Sequence, residues 1–478
     1  VTSSIFWYDF ETTGIDPRSD RPLQVAGIRT DEQLNEIGEP FNLYCKLSED
    51  ILPHPQACLV TGITPQRLAE QGVAEVEFMQ RLEQQMVQPG TCTAGYNSLR
   101  FDDEVARFSF WRNFIDPYAR EWQGGNSRWD LIDLLRTAYA LRPEGLVWPQ
   151  QDGQVSLRLE LLTAANGIEH GQAHDALADV RATIALARLL RERQPRLYQY
   201  LYDLRRKNAV QAQVRLLQPL LHVSGRFAAS RHYLAVVLPL AWHPHNRNAL
   251  IVCDLHQDPR PLLELDAESL RQRLYRRHSE LAADELPVPL KLVHINRCPV
   301  LAPLNVLGDS DCQRLGLDLA DLQQRGRQLA EQRALWQDKL AALYAEEPGF
   351  APADVEQQLY AGFLGERDRR LVQQVREASA EQLAQGDWLF DDARLGELLF
   401  RYRARNFPDS LSQAERQRWR QFCRQRLSDP QYAAPNTSEQ FERAMAQAMA
   451  QAGDAQYRLL AEWQRYAQDL QAQLAQPD

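Results

Sequence analysis

A chain of 478 residues with a formal net charge of -10 is too long for one ordinary domain and too acidic to coat nucleic acid through its overall charge. Roughly two to four domains are expected at this length. No apolar run approaches the ~20 residues of a membrane-spanning helix; the longest candidate, Tyr233 to Trp242, is short and interrupted by Pro239. The opening Val1-Thr2-Ser3-Ser4 lacks the basic residues and apolar stretch of a secretory leader. Seven cysteines without a C-x-x-C pair are expected to be free thiols in a reducing cytoplasm.

Ile5 to Glu11 reads as a strand, rich in β-forming residues. Within Trp7-Tyr8-Asp9-Phe10-Glu11-Thr12-Thr13-Gly14, Asp9 and Glu11 are two apart, so a strand turns both carboxylates to one face. Such a pair repels itself, and a hard divalent cation turns that repulsion into ligation. A solvated strand end is the plainer account of the pair taken alone. Thr91 to Tyr96 is a second short strand, followed by a turn at Asn97 and Ser98. Asp102 and Asp103 then fall where a helix starts, and acidic residues there also suit the helix dipole without any metal. With Phe101 packed back on the core, Asp102 is the choice as ligand. Ala173 to Leu190 has helical periodicity; it sets Asp175 and Asp179 on one face and His174 at the helix mouth.

A break follows at Gln194-Pro195-Arg196, then a short helical segment from Leu197 to Arg206. Between about Leu220 and Leu304 the chain turns β-rich, with runs at Tyr233 to Leu238, Ala249 to Leu255 and Leu290 to Ile295. Short strands joined by turns suggest a small barrel or sandwich, with Leu270 to Leu281 as a helical insertion. From Asp311 onward Ala, Leu, Gln, Glu and Arg dominate and prolines 348, 352, 408 and 430 act as stops, the pattern of an α-helical domain. The Gln-rich tail from Gln447 to Gln476 keeps a stripe of Leu459, Leu460, Trp463, Tyr466, Leu470 and Leu474, which predicts a packed terminal helix.

Arg401, Arg403 and Arg405 alternate among Phe400, Tyr402 and Phe407. The mixture suits phosphate contacts and base stacking; it also suits a helix with a solvated basic face and a buried aromatic one. Arg128-Trp129 and the run Arg205-Arg206-Lys207 are further candidates for holding a strand, against a core tryptophan and a solvated charge run.

An acidic pair on a strand, an acidic helix start after a second strand, and a His with Asp five residues later resemble, in that order, the DEDDh superfamily of 3′→5′ exonucleases. Asp9, Glu11, Asp102, His174 and Asp179 stand at its five functional positions. Further stretches resemble the bacterial exonuclease I family over nearly the whole chain. They include Thr61-Gly62-Ile63-Thr64-Pro65, Arg100-Phe101-Asp102-Asp103-Glu104-Val105, Ala165-Asn166-Gly167-Ile168-Glu169-His170, Leu221-His222-Val223-Ser224-Gly225 and Tyr402-Arg403-Ala404-Arg405-Asn406-Phe407-Pro408.

The resemblance implies a ribonuclease H-like α/β exonuclease domain at 1–195, a small SH3-like β-barrel domain with helical insertions at 196–346, and an α-helical C-terminal domain at 350–478. It also implies a C-shaped body around single-stranded DNA, 3′→5′ release of 5′-mononucleotides in DNA repair and recombination, and a monomer. Asp9, Glu11 and Asp179 are then ligands of one Mg²⁺, and Asp9 and Asp102 of a second, with Mn²⁺ able to substitute. His174, whose ordinary pKa near 6.5 suits the task, would take the proton from the attacking water. The resemblance further implies a partner, the acidic, Phe-ended C-terminal tail of bacterial single-stranded DNA-binding protein, with Arg142 and Tyr200 on the surface that receives it. Two other readings stay open: an exonuclease for RNA 3′ ends, and a catalytically silent single-strand-binding module. The second has no need of clustered carboxylates.

Overall fold

The computed structural model describes residues 3–171, 175–345, 353–432 and 434–476. It divides into two compact units, one built from residues 1–127, 170–184 and 350–478 and the other from 128–169 and 185–349.

The first unit contains β1 (Ser4–Thr12), β2 (Pro22–Thr30), β3 (Phe41–Cys45), β4 (Gly72–Val73) and β5 (Thr91–Gly95), ordered β4-β3-β2-β1-β5. β1 runs antiparallel to β2 and parallel to β5. The two-residue period of β1 sorts its side chains. Phe6, Tyr8 and Phe10 share a core with Phe78 and Met79 of α1 (Glu75–Met86) and with Val105 and Phe110 of α2 (Asp102–Arg112). Trp7, Asp9 and Glu11 therefore take the other face. The parallel pairing ends at Trp7 and Ala94, so Asp9 and Glu11 lie past its last pair. Open α/β sheets bind ligands at that carboxyl edge. The turn from β5 into α2 passes so close to β1 that a Cβ on Gly95 would sit 2.8 Å from the Tyr8 carbonyl oxygen. Only glycine allows that approach.

The C-terminal helices fold back onto this first segment. They include α4 (Ala393–Asn406), α5 (Gln413–Ser428), α6 (Ser438–Gln451) and α7 (Asp454–Ala475), while α3 (Ala176–Arg193) precedes them in the chain. Leu23, Leu52 and Ile63 share a core with Trp419, Phe422 and Trp463. The Trp463 indole N–H donates to the Ile63 carbonyl at 3.0 Å. The terminal helix is packed as its stripe predicts, with Leu460, Trp463, Leu470 and Leu474 buried.

A buried ion cluster ties the same two segments together. Glu356 accepts from Arg21 and from Arg405, and Arg405 also pairs with Asp50 at 2.8 Å. Arg426 lies 3.4 Å from Asp50 and 3.6 Å from Glu356. Burial pushes both carboxyls up. The arginines outweigh it and hold Asp50 and Glu356 below the usual carboxylate range.

In the second unit, β6 (Leu220–Val223), β7 (Leu234–Trp242), β8 (Ala249–Asp254), β9 (Leu290–His294) and β10 (Val300–Pro303) form an antiparallel sheet ordered β9-β8-β7-β6-β10. β7 continues past the expected end at Leu238. The register slips between Pro239 and Ala241, a bulge that accommodates a proline inside a strand. The helical insertion is Ala267–Leu274, with a 3₁₀ turn at 278–280. Among the described residues no helix is long and apolar enough to cross a membrane.

Glu356→Gln removes the charge that Arg21 and Arg405 face. An uncompensated buried charge costs about 3–5 kcal/mol. For depressed carboxyls the stabilisation is present above their unfolded pKa of about 4 and is lost as pH falls toward the folded value. Denaturant midpoints measured from neutral pH down to about pH 3 should show the variant weaker at neutral pH and the gap closing on acidification. Equal midpoints at neutral pH would contradict this role.

Candidate active site

Asp9, Glu11 and Asp179 each present an oxygen, and these oxygens lie within 4.8 Å of one another. Two come from neighbouring same-face positions of β1, the third from the first turn of α3. Asp102, at the start of α2, accepts the Phe10 N–H at 3.0 Å, so it grips the backbone between Asp9 and Glu11. Its neighbour Asp103 is engaged elsewhere: it accepts from the Tyr8 hydroxyl and pairs with Arg120 at 2.7 Å. The adjacent acids thus divide, with Asp102 toward the cluster and Asp103 into an internal ion pair.

Burial raises the Asp9 carboxyl well above its ordinary range, and the charges of Asp102, Glu11 and Asp179 raise it further. Glu11 is pushed up to about 9, by burial first and then by Asp179, Asp102 and Asp175. Among the described residues no lysine or arginine pairs with Asp9 or Glu11. The donor set is all oxygen and acidic, which fits a hard divalent cation. His170 stands beside the cluster, its Nε2 2.6 Å from Asp179 Oδ1. His174 lies outside the described residues.

A cavity of about 630 Å³ opens next to Glu11, lined by Phe10, Ile15, His54, Phe101 and Gln357 among others. Ile15 is 91% exposed, as is Phe363. Each sits beside a glycine, in Gly14-Ile15-Asp16-Pro17 and Gly362-Phe363-Leu364-Gly365, with no amphipathic pattern that would mark it as buried or exposed.

The alternating arginines are not displayed to a strand. Arg401 is buried against Asp354 and Glu397, Arg403 against Glu415, and Arg405 against Asp50. Arg401 and Arg405, four apart on one face of the helix, also share Glu356, while Arg403 points to another side. Trp129 is buried against Tyr198 and Tyr202, with ring centroids 5.3 and 5.2 Å away. Arg128 is buried too, donating to the Asn296 carbonyl at 3.1 Å. Arg142 keeps 40% of its side chain exposed while donating to the Val306 carbonyl and lying 3.5 Å from Asp311. The Tyr200 hydroxyl donates to the Leu301 carbonyl at 2.6 Å, and burial pushes its pKa up to about 12.

Family descriptions match three successive stretches: "Exonuclease" at residues 6–187, "Exonuclease I SH3-like domain" at 205–346 and "Exonuclease I C-terminal domain" at 353–470. The chain is 50% identical over 427 residues to exodeoxyribonuclease I of Escherichia coli K12, an alignment spanning 88% of this chain and 90% of that protein. The chain belongs to the exodeoxyribonuclease I family. Its fold is that of the family, with an α/β exonuclease domain, an SH3-like β domain and a helical C-terminal domain. Exonuclease I from Methylocaldum szegediense superposes with a TM-score of 0.92 at 46% identity, covering 98% of this chain and 99% of that one. E. coli exonuclease I in complex with a dA16 oligonucleotide gives 0.92 at 46% identity, covering 98% and 100%. A zinc-bound E. coli exonuclease I–single-stranded DNA complex gives 0.91 at 46% identity, again covering 98% and 100%.

A carboxyl raised on folding destabilises the fold above its unfolded pKa of about 4.3 and costs nothing below it. Glu11→Gln should therefore raise the melting temperature of the EDTA-treated chain at about pH 8, and by less at about pH 5. Mn²⁺ should stabilise the wild type, by about 2.7 kcal/mol at a hundredfold excess over its Kd, and stabilise the variant less. Thermal melts that show the reverse order in EDTA would contradict the charge crowding.

Proposed function

We propose that this chain is a 3′→5′ exonuclease that hydrolyses single-stranded DNA to 5′-mononucleotides. The work is done with two divalent ions, Mg²⁺ or Mn²⁺, at Asp9, Glu11, Asp102 and Asp179. The observation that carries this reading is the cluster of Asp9, Glu11 and Asp179, whose oxygens lie within 4.8 Å of one another, with burial and mutual repulsion raising Asp9 and Glu11. The family and its members solved with single-stranded DNA support it. Bound there, the ions supply a polarised phosphate and an attacking water of lowered pKa.

The chain's own residues divide the remaining tasks. Asp9, Glu11 and Asp179 would hold one ion, and Asp9 with Asp102 the other. His174 is assigned to take the proton of the attacking water. The exposed Ile15 and Phe363 offer faces for unpaired bases, a role the buried arginines of α4 are not placed to fill. Segments 1–195, 196–346 and 350–478 are the three domains of a monomer. The cysteines, free of disulfides, suit a cytoplasmic chain.

Matched single-stranded and duplex oligonucleotides, labelled at the 5′ end, should be shortened from the 3′ end only when single-stranded and only without EDTA. Asp9→Ala and Asp179→Ala should abolish turnover, and His174→Ala should cost ~10²–10⁴-fold while metal still binds. Phe363→Ala should raise KM more than it lowers kcat. Equal rates on duplex, or activity that survives EDTA, would overturn the reading. RNA cut as fast as DNA would move the substrate to RNA ends.

The partner assigned by the resemblance is the acidic, Phe-ended tail of single-stranded DNA-binding protein. Half-exposed Arg142 offers a cation for its carboxylates. A fluorescent tail peptide should bind wild type more tightly than Arg142→Ala, and less tightly at higher salt. Binding indifferent to both changes, or none at micromolar peptide, would remove the partner and leave the nuclease reading intact.

A further inference from the structure

The geometry points to His170 as a positioning residue that aims Asp179 at the metal cage. This rests on the proposed metal site and assigns a residue outside the five acidic and histidine positions of that site.

The acids around the cluster are each held by something different. Asp102 is fixed by the Phe10 N–H at 3.0 Å. Asp103 is fixed by Tyr8 and Arg120. Asp175, just before α3, caps that helix by accepting the Leu177 and Ala178 N–H groups at 3.1 Å through Oδ1. Asp179, inside the helix, is the acid whose oxygen gathers with those of Asp9 and Glu11. A carboxylate's last torsion is broad and two-fold, and the neighbouring charges of Asp9 and Glu11 repel that of Asp179. The His170 ring opposes that. Its Nε2 lies 2.6 Å from Asp179 Oδ1, and only 9% of the His170 side chain is exposed. A carboxylate oxygen only accepts, so the ring nitrogen donates. One oxygen of Asp179 is pinned and the other is left for a cation. Donors of this kind orient ligands throughout metalloproteins, and losing one typically costs about 10–100-fold in metal affinity.

Two substitutions separate this role from simple packing. His170→Phe fills the space and removes the donor; His170→Gln keeps an N–H donor. Mn²⁺ binding to the full-length, metal-free chain is measured by calorimetry without DNA, beside the metal concentration for half-maximal turnover. His170→Phe should weaken Mn²⁺ by about 10–100-fold and raise the metal requirement by the same factor. His170→Gln should bind nearly as wild type does. Melts in EDTA check folding, and His170→Leu replaces His170→Phe if the latter fails to fold. The role is overturned if His170→Phe binds Mn²⁺ like wild type, or if His170→Gln is as weak as His170→Phe. Asp9→Ala runs in parallel. If wild type binds no Mn²⁺, or Asp9→Ala retains it, the metal site itself fails and the role of His170 fails with it. Mn²⁺ lost in Asp9→Ala but kept in His170→Phe overturns the positioning role alone.

Discussion

Charge balance in the buried interior of the first unit governs how this molecule is built and what it can do. Two groups of acids are taken out of water there. Asp50 and Glu356 meet Arg21, Arg405 and Arg426 and are held low. Among the described residues, the charges that face Asp9 and Glu11 are those of other acids, and both carboxyls are pushed up. Burial acts in the same direction on both groups, so the difference lies in the partners. The first group is complete within the chain and stabilises the fold. The second is crowded with like charge, which a bound divalent cation would relieve.

The two groups share one unit but have opposite surroundings. β1 sends its aromatics into a core with α1 and α2 and its acids to the other face. Gly95 lets the following turn approach β1, which brings Asp102 to the peptide between Asp9 and Glu11. Arg21 leads into β2, eight registered residues of which pair with the acid-bearing strand. Through Glu356 it joins that strand pair to the C-terminal segment. Gln357, the next residue, lines the cavity beside Glu11. Ala434, Pro435 and Asn436 of the C-terminal segment line the same cavity.

Much of this is legible in the sequence because local periodicity carries it. The two-residue spacing of Asp9 and Glu11 and the stripe from Leu459 to Leu474 translate directly into faces, whereas the helix expected from Ala173 begins at Ala176 and leaves Asp175 ahead of it. What was not legible depends on partners distant in the chain. Arg401, Arg403 and Arg405 look like a nucleic-acid surface until Asp354, Glu415 and Asp50 are brought to them. Asp175 and Asp179 look equivalent on a helix face until the capping bonds of Asp175 are seen. The contact of His170 with Asp179 has no periodic signal, because a residue outside any helix or strand meets a helix residue. Exposure of Ile15 and Phe363 likewise emerges only when the rest of the apolar surface has found its place.

The most direct measurement is anomalous scattering at the manganese edge, from crystals of the chain grown with Mn²⁺ and a short single strand bearing a non-hydrolysable 3′-terminal linkage. Two peaks are expected, one among Asp9, Glu11 and Asp179 and one between Asp9 and Asp102, both against the terminal phosphate. Manganese bound elsewhere, or a terminal phosphate held away from these carboxylates, would contradict the account.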